Sequence, residues 1–335
     1  MRPCRRWPTL THATPSRLCT NAGRTAMQHG RDTIGFIGLG LMGHGMAKNI
    51  VEKGYALTVC ARKPSAALDD LLSRGAEQVD TPMAVARQAS VVFLCVTGSP
   101  DVEAIVRGAM GLAKGLRPGT VVVDCSTSDP TSTVALAAEL AAMDVTLVDA
   151  PLSRTPKEAW EGTLDTMVGA DAQTLERIRP ILSTWAARIV HVGGPGDGHR
   201  LKLINNFVAM GYAALYSEAL TLAQAVGIGP QRVDAVLRNG RMDCGFYQTF
   251  MDYTLNGNRE AHKFTLKNAF KDMRYLESMA DAAGISNSLG NAVKNSFAMA
   301  LATGGAEAYV PMLPENVARL SGVDLTPAPK PKDSP

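Results

Sequence analysis

The chain has 335 residues, of which 46% are apolar, 5% aromatic and 19% charged. That length corresponds to about two domains with a substantial core. The formal charge of +3 comes from 34 basic against 31 acidic residues, and it is unevenly placed. Residues 1–26 hold five arginines (Arg2, Arg5, Arg6, Arg17, Arg24) and no acid, so a chain starting at Met27 would carry 29 bases against 31 acids. The basicity belongs to a short leader and excludes a nucleic-acid footprint as its reading. The six cysteines (Cys4, Cys19, Cys60, Cys95, Cys125, Cys244) form no C-x-x-C pair. Three of them sit in apolar strand-like runs, which argues against a disulfide framework or a zinc site.

Residues 1–31 read as a leader. Its Arg, Ser and Thr content matches a mitochondrial transit peptide, which would place the protein in the matrix. Pro3, Pro8 and Pro15 would interrupt an amphipathic helix, so an upstream start, with Met27 as the first residue and a cytoplasmic location, is favoured. Residues 32–195 then alternate strands with helices. The expected strands are Thr33–Ile37, Leu57–Cys60, Val91–Val96, Val121–Cys125, Val145–Val148, Thr166–Val168 and Ile189–Val192; Met42–Lys53 and Thr131–Met143 are among the helices between them. This pattern predicts an α/β fold, a Rossmann-type dinucleotide-binding domain with a mostly parallel sheet. Residues 196–323 read as an all-α domain, with helices over Leu201–Val226, Pro230–Leu237, Leu266–Ala283 and Gly290–Ala302. The boundary falls in the run Gly193-Gly194-Pro195-Gly196-Asp197-Gly198. Leu201–Ala225 is the most apolar stretch, but Lys202, Asn205, Asn206 and Glu218 make it a buried helix and not a membrane span. Residues 324–335, rich in proline, read as a disordered tail.

The first strand leads into Gly38-Leu39-Gly40-Leu41-Met42-Gly43, a G-x-G-x-x-G turn that opens a helix. Gly38 would permit the tight turn, Gly40 the close approach of a pyrophosphate, and Gly43 the packing of helix on strand. About twenty residues later an NAD site usually carries an acid for the ribose 2′-hydroxyl. Here the sequence is Cys60-Ala61-Arg62-Lys63-Pro64. Two cations suit a 2′-phosphate, so NADP is favoured over NAD, with Arg62 able to stack on adenine.

On the first helix after the boundary, Lys202 and Asn206 share a face at i and i+4, beside an apolar stripe of Leu201, Ile204 and Val208. With Asp124-Cys125-Ser126-Thr127, Asp149-Ala150-Pro151-Leu152-Ser153, Gly162-Thr163-Leu164 and Lys271-Asp272, these motifs make the chain resemble the β-hydroxyacid dehydrogenase family from about Thr33 to Gly322. The resemblance implies a 3-hydroxyisobutyrate dehydrogenase-like oxidoreductase that interconverts a small anionic 3-hydroxy acid and its aldehyde. It implies Lys202 as the catalytic lysine, Asn206 and Ser153 as substrate ligands, and Thr127 beside nicotinamide and substrate. Phe264 and Lys271 would close the helical domain over the cofactor, and homodimers or homotetramers would form through that domain. No metal, nucleic-acid or membrane partner is expected.

The substrate motif departs from the family at Ser153-Arg154-Thr155, where Gly-Gly usually follows the serine. Arginine suits bidentate recognition of carboxylate, sulfonate or phosphonate oxygens, and the Arg-Thr pair is similar to the sulfolactaldehyde reductase branch. The alternatives are therefore a sulfolactaldehyde, succinic or tartronate semialdehyde reductase, or, from another class, an inactive NADP-binding scaffold. A competing role for Arg154 is a structural salt bridge. His199 is expected to be a solvated or capping residue at the helix start, His44 to face the helix surface, and Trp160 and Trp185 to serve packing. Asp129-Pro130 reads as a helix start.

Overall fold

The computed structural model describes residues 32–325; the reading of residues 1–31 as a leader lies outside the described residues, as does all of the expected tail 324–335 beyond its first two residues. Leu325 departs from that reading: it is buried and packs in the helical core, an apolar anchor that the proline-rich composition around it conceals. The chain opens with β1 (Ile34–Ile37), α1 (Gly43–Glu52), β2 (Leu57–Cys60), α2 (Ala66–Ser73), β3 (Glu77–Gln78), α3 (Pro82–Gln88), β4 (Val91–Leu94) and α4 (Ser99–Arg107). It continues through β5 (Val121–Asp124), α5 (Pro130–Ala141), β6 (Thr146–Asp149), β7 (Leu152–Ser153), α6 (Pro156–Glu161), β8 (Leu164–Gly169), α7 (Ala172–Leu182) and β9 (Ala186–Gly193). After these come only helices: α8 (Asp197–Ala225), α9 (Pro230–Leu237), α10 (Gly245–Asn256), α11 (Leu266–Ala282), α12 (Ser288–Ala302) and α13 (Leu313–Leu320).

The sheet runs in the order β3-β2-β1-β4-β5-β6-β8-β7, with β9 pairing β8. The first six of these strands are parallel. Strands β1, β2, β4 and β5 are buried along their whole length, as expected of a sheet covered on both faces. The order reverses at β1, so the connections leaving β1 and β4 run in opposite directions along the sheet and a crevice forms at its carboxyl edge. One core cluster lies on each face of the sheet, and a third fills the helical half around Leu203, Phe250, Met273 and Phe297. Trp185 sits in the first core, fully buried.

Three features differ from the sequence reading. The sheet contains two short strands, β3 and β7, that were not expected, and β8 runs antiparallel to β6 and β7. Two residues carry no readable alternation, so such strands leave no hydrophobic signal. The helix expected from Leu201 begins at Asp197, because glycines in its first turn conceal the start. That helix is also only half buried. Leu203, Met210, Ala213 and Leu220 face the core, while Leu201, Ile204, Val208, Leu215 and Leu222 are exposed at 39% to 66%. Asp129 caps α5 through Thr131 N with Pro130 in its first turn, as read.

Candidate active site

The glycine-rich turn is shaped by contacts that no side chain would fit. Gly38 has φ +104°, and a Cβ there would lie 2.2 Å from the Cys95 carbonyl oxygen. A Cβ on Gly43 would meet the Gly38 carbonyl oxygen at 1.9 Å and the Phe36 ring at 3.1 Å. Gly40 is different: nothing lies within 4 Å of its Cβ position. The turn therefore offers bare backbone to open space at the start of α1, whose first turn has no capping side chain and no acid. This is the cradle a pyrophosphate requires, and the residues present fit a dinucleotide.

The cleft above that turn has a volume of about 1330 Å³. Single small-ligand pockets reach about 1,000 Å³, so there is room for a dinucleotide and a small substrate together. From the sheet half, Leu39, Leu41, Met42, Arg62, Lys63, Thr127, Ser153, Arg154 and Thr155 line it, and from the helical half Lys202, Asn206, Phe264 and Lys271. The Arg62 side chain is 91% exposed, with Asp101 its nearest acid at 3.8 Å. Asp80 also lines the cleft, a residue the sequence does not single out because it follows the short β3.

Lys202 stands in the second turn of α8 with no hydrogen-bond or ion-pair partner among the described residues. Burial pushes its pKa down to about 8; Asp272 opposes that shift and Lys271 reinforces it. Asn206, one turn on, donates from Nδ2 to the fully buried Asp272 carboxylate at 2.7 Å. Lys271 Nζ lies 3.1 Å from Asp272 Oδ1 and donates to the carbonyls of Thr97 and Thr127, the latter at 2.7 Å. One lysine thus ties α11 to the loops after β4 and β5. Phe264 packs on the helical core and tilts against His262, ring centroids 6.2 Å apart.

Ser153 Oγ, also in the cleft lining, is buried and has no hydrogen-bond partner among the described residues. A buried hydroxyl without a partner costs about 1–3 kcal/mol, and a ligand acid group would remove that cost. Arg154 Nε pairs with Asp165 Oδ2 at 3.1 Å and is half exposed; its backbone adopts φ +87°, in the left-handed region. Thr155 caps α6 in a capping box, with its amide and its hydroxyl both donating to Glu158. Its polar groups are already committed to that cap.

His199 overturns its reading as a solvated or capping residue. It is fully buried, its Nε2 donates to the Ser126 carbonyl at 3.1 Å, and its Nδ1 lies 2.8 Å from the Thr133 hydroxyl. Its backbone amide and that of Gly196 donate to the buried Asp149, whose pKa is raised by desolvation. This network fastens the first turn of α8 to the strand ends, one turn before Lys202. A lone histidine in a glycine-rich junction gives no sign of such burial. His44 binds Asp70 at 2.8 Å and is only part-buried, its ring edge-on to Trp160. Near the cofactor end, burial pushes the Cys95 thiol up to about 12, so it stays protonated.

His262 was also missed. It lines the same cleft, from the loop between α10 and α11. No group of three His, Cys, Asp or Glu among the described residues could hold a metal ion. None of the described helices is long and apolar enough to cross a membrane.

Residues 33–193 match the NAD-binding domain of 6-phosphogluconate dehydrogenase, and residues 196–311 match the NAD-binding segment of NADP-dependent 3-hydroxyisobutyrate dehydrogenase. The chain is 37% identical over 207 residues to 2-hydroxy-3-oxopropionate reductase of Escherichia coli, covering 62% of this chain and 70% of that protein. It is 30% identical to the 3-sulfolactaldehyde reductase of the same organism over 81% of this chain and 91% of the relative. A solved 3-hydroxyisobutyrate dehydrogenase of Mycobacterium tuberculosis, in complex with L-serine, superposes with a TM-score of 0.76 at 26% identity, covering 86% of this chain and 99% of the other. Fold and matches together define an NAD(P)-dependent oxidoreductase. Within that class, the chain belongs to the β-hydroxyacid dehydrogenase family.

Proposed function

We propose that the protein interconverts a small anionic 3-hydroxy acid, or a similar alcohol, and its aldehyde, with Lys202 as the acid and base. The observation that carries this reading is Lys202 itself: an unpaired, desolvated lysine in the cleft, with a pKa brought down to about 8. A group of that pKa exchanges a proton near neutral pH far more readily than an ordinary lysine. The bound nicotinamide supplies or accepts the hydride. In reduction, Lys202 Nζ delivers a proton to the carbonyl oxygen as the carbon gains the hydride, and its charge stabilises the developing alkoxide. In oxidation, neutral Lys202 takes the hydroxyl proton.

The remaining residues supply orientation. Asn206, held by Asp272, fixes the neighbouring turn of α8, and Thr127 borders the reacting groups. The unpartnered Ser153 hydroxyl and the exposed part of the Arg154 guanidinium receive the substrate acid. Thr155 contributes by holding α6 in place through its cap. Gly38 to Gly43 hold the pyrophosphate, and Phe264 and Lys271 bring the helical half against the cofactor. Arg62 and Lys63 favour NADPH, because the exposed guanidinium is free to leave Asp101 for a 2′-phosphate. The exposed stripe on α8 supports assembly as a homodimer or homotetramer.

The guanidinium at position 154 widens the substrate class beyond 3-hydroxyisobutyrate to longer or sulfonated aldehydes. The test is oxidation of NADPH and of NADH with methylmalonate, tartronate and succinate semialdehydes and sulfolactaldehyde. At least one should be reduced, and faster with NADPH. Tight NADPH binding with no turnover of any aldehyde would favour an inactive scaffold instead.

A further inference from the structure

Arg154 and Asp165 form an uneven pair. Ser153 on β7 stands opposite Asp165 on β8 in the antiparallel register, and Arg154 follows at once with its left-handed backbone. The two side chains meet through one nitrogen and one oxygen, Nε to Oδ2 at 3.1 Å. The other carboxylate oxygen, Oδ1, is buried and has no hydrogen-bond partner among the described residues. On the arginine, Nη1 and Nη2 have no partner among the described residues either. The guanidinium is thus held at Nε, and the Nη1–Nη2 fork, which grips an acid group bidentately, is left over. Arg154 lines the cleft and Asp165 does not.

A pair kept only for stability would not be built this way. Leaving a buried carboxylate oxygen unpartnered costs stability, and a half-exposed ion pair returns little of it. The charge balance supplies the reason. Arg154 also faces Glu158, which lines the cleft. Burial works to raise the Glu158 pKa, but the Thr155 hydrogen bonds and the Arg154 charge hold it below the ordinary carboxylate range, so it stays ionised. Lys157, the next cation along the chain, is engaged by Glu161 at 3.9 Å. One guanidinium charge is thus matched against two carboxylates. A singly charged acid can still take the Nη fork and the Ser153 hydroxyl. A dianion finds no surplus of positive charge to offset its larger desolvation cost.

Resting on the reductase reading above, we propose that Asp165 is a positioning residue that aims the Arg154 fork and offsets its charge, so that the acid subsite takes singly charged groups and turns away phosphonate and phosphate dianions. Its effect falls on KM. Lys202 and the glycine turn lie outside the pair, so kcat and cofactor binding change little when the Asp165 charge is removed.

The test compares sulfolactaldehyde with its phosphonate counterpart, which has nearly the same shape. At about pH 8 the sulfonate carries one charge and the phosphonate about two. For the unaltered enzyme, KM should be several-fold lower for the sulfonate. Asp165→Asn keeps an oxygen for Arg154 Nε and removes the charge. It should lower KM about threefold for the sulfonate and about tenfold for the phosphonate, because the dianion feels the lost charge twice. Asp165→Ser should narrow the same gap, and NADPH fluorescence titration reports whether each variant retains a folded cofactor site. A compound of the pair that is not reduced is measured instead as a competitive inhibitor of a panel aldehyde that is. Values that stay in place, or that shift equally for both compounds, would reduce Asp165 to a structural partner of Arg154 and overturn the proposal. Preference of the unaltered enzyme for the phosphonate, or binding of neither compound, would also overturn it while leaving the reductase reading intact. Turnover of no aldehyde in the panel would remove the reductase reading and this proposal with it.

Discussion

The two sides of the cleft are made in different ways. On the sheet side, Gly38, Gly40 and Gly43 act through the absence of side chains, and the shape they create is fixed by six consecutive residues. On the helical side, Lys202, Asn206, Lys271 and Asp272 act through side chains that meet across long stretches of chain. Asn206 reaches Asp272 over 66 residues, and Lys271 reaches Thr127 over 144. The backbone site resists change at Gly38 and Gly43, where a Cβ would strike the Cys95 and Gly38 carbonyls, and keeps open space at Gly40. A side-chain site assembled over distance depends on packing, and burial in that packing lowers the Lys202 pKa.

The strongest test of this contrast removes chemistry from the helical side alone. Lys202→Ala should lower kcat at least about a thousandfold, by the scale of general acid–base catalysis combined with lost charge stabilisation, while NADPH still binds in a fluorescence titration. Near-normal turnover would sink the assignment of Lys202. Gly38→Ala should do the reverse. Its Cβ would press on the Cys95 carbonyl in a conformation that L residues rarely adopt, at a cost of about 1–3 kcal/mol. A lower melting temperature and NADPH affinity weakened by about tenfold or more are expected, and unchanged binding would break the comparison.

The pH dependence sharpens it further. Reduction needs protonated Lys202, so kcat for reduction should fall as pH rises through about 8, and kcat for oxidation should rise through the same region. Asp272 holds the Lys202 value up, so Asp272→Asn should move both midpoints to lower pH; midpoints that stay in place would exclude that coupling. The stability linkage has its own sign. A lysine with a folded value below its ordinary 10.5 binds fewer protons folded than unfolded between the two values, so this group adds stability as pH rises from about 8 toward 10.5. The smallest expected effect is at the substrate end. Arg154→Gly should raise KM for anionic aldehydes about tenfold, on the scale of one charge-assisted hydrogen bond, and leave KM for NADPH nearly as it is. An unchanged KM for every anionic aldehyde would reduce Arg154 to its salt bridge with Asp165.

The sequence made the sheet side readable because its information is local. Three glycines at fixed spacing after an apolar run define a turn whatever the remainder does. Lys202 and Asn206 were readable for a related reason, since helical periodicity puts i and i+4 on one face. What failed was anything set by which surfaces meet. The apolar run in α8 gave no sign of which stripe would be covered, so Leu201, Ile204 and Val208 were read as buried. His199 gave no sign of its burial, because Thr133 and Asp149 reach it from other segments. His262 follows no spacing at all; a loop carries it to the cleft and two phenylalanines define its surroundings.

The left-handed backbone at Arg154 has a consequence for how this site can vary. Holding a non-glycine residue there costs about 1–2 kcal/mol, and a half-exposed ion pair of the kind it makes with Asp165 returns about 0–1 kcal/mol. The balance is against arginine on folding grounds alone. Arg154→Gly should therefore give a molecule that tolerates heat at least as well as the original while gripping anions less firmly. On the substrate role proposed for Arg154, grip on an anion and resistance to unfolding pull in opposite directions at this one position of the cleft.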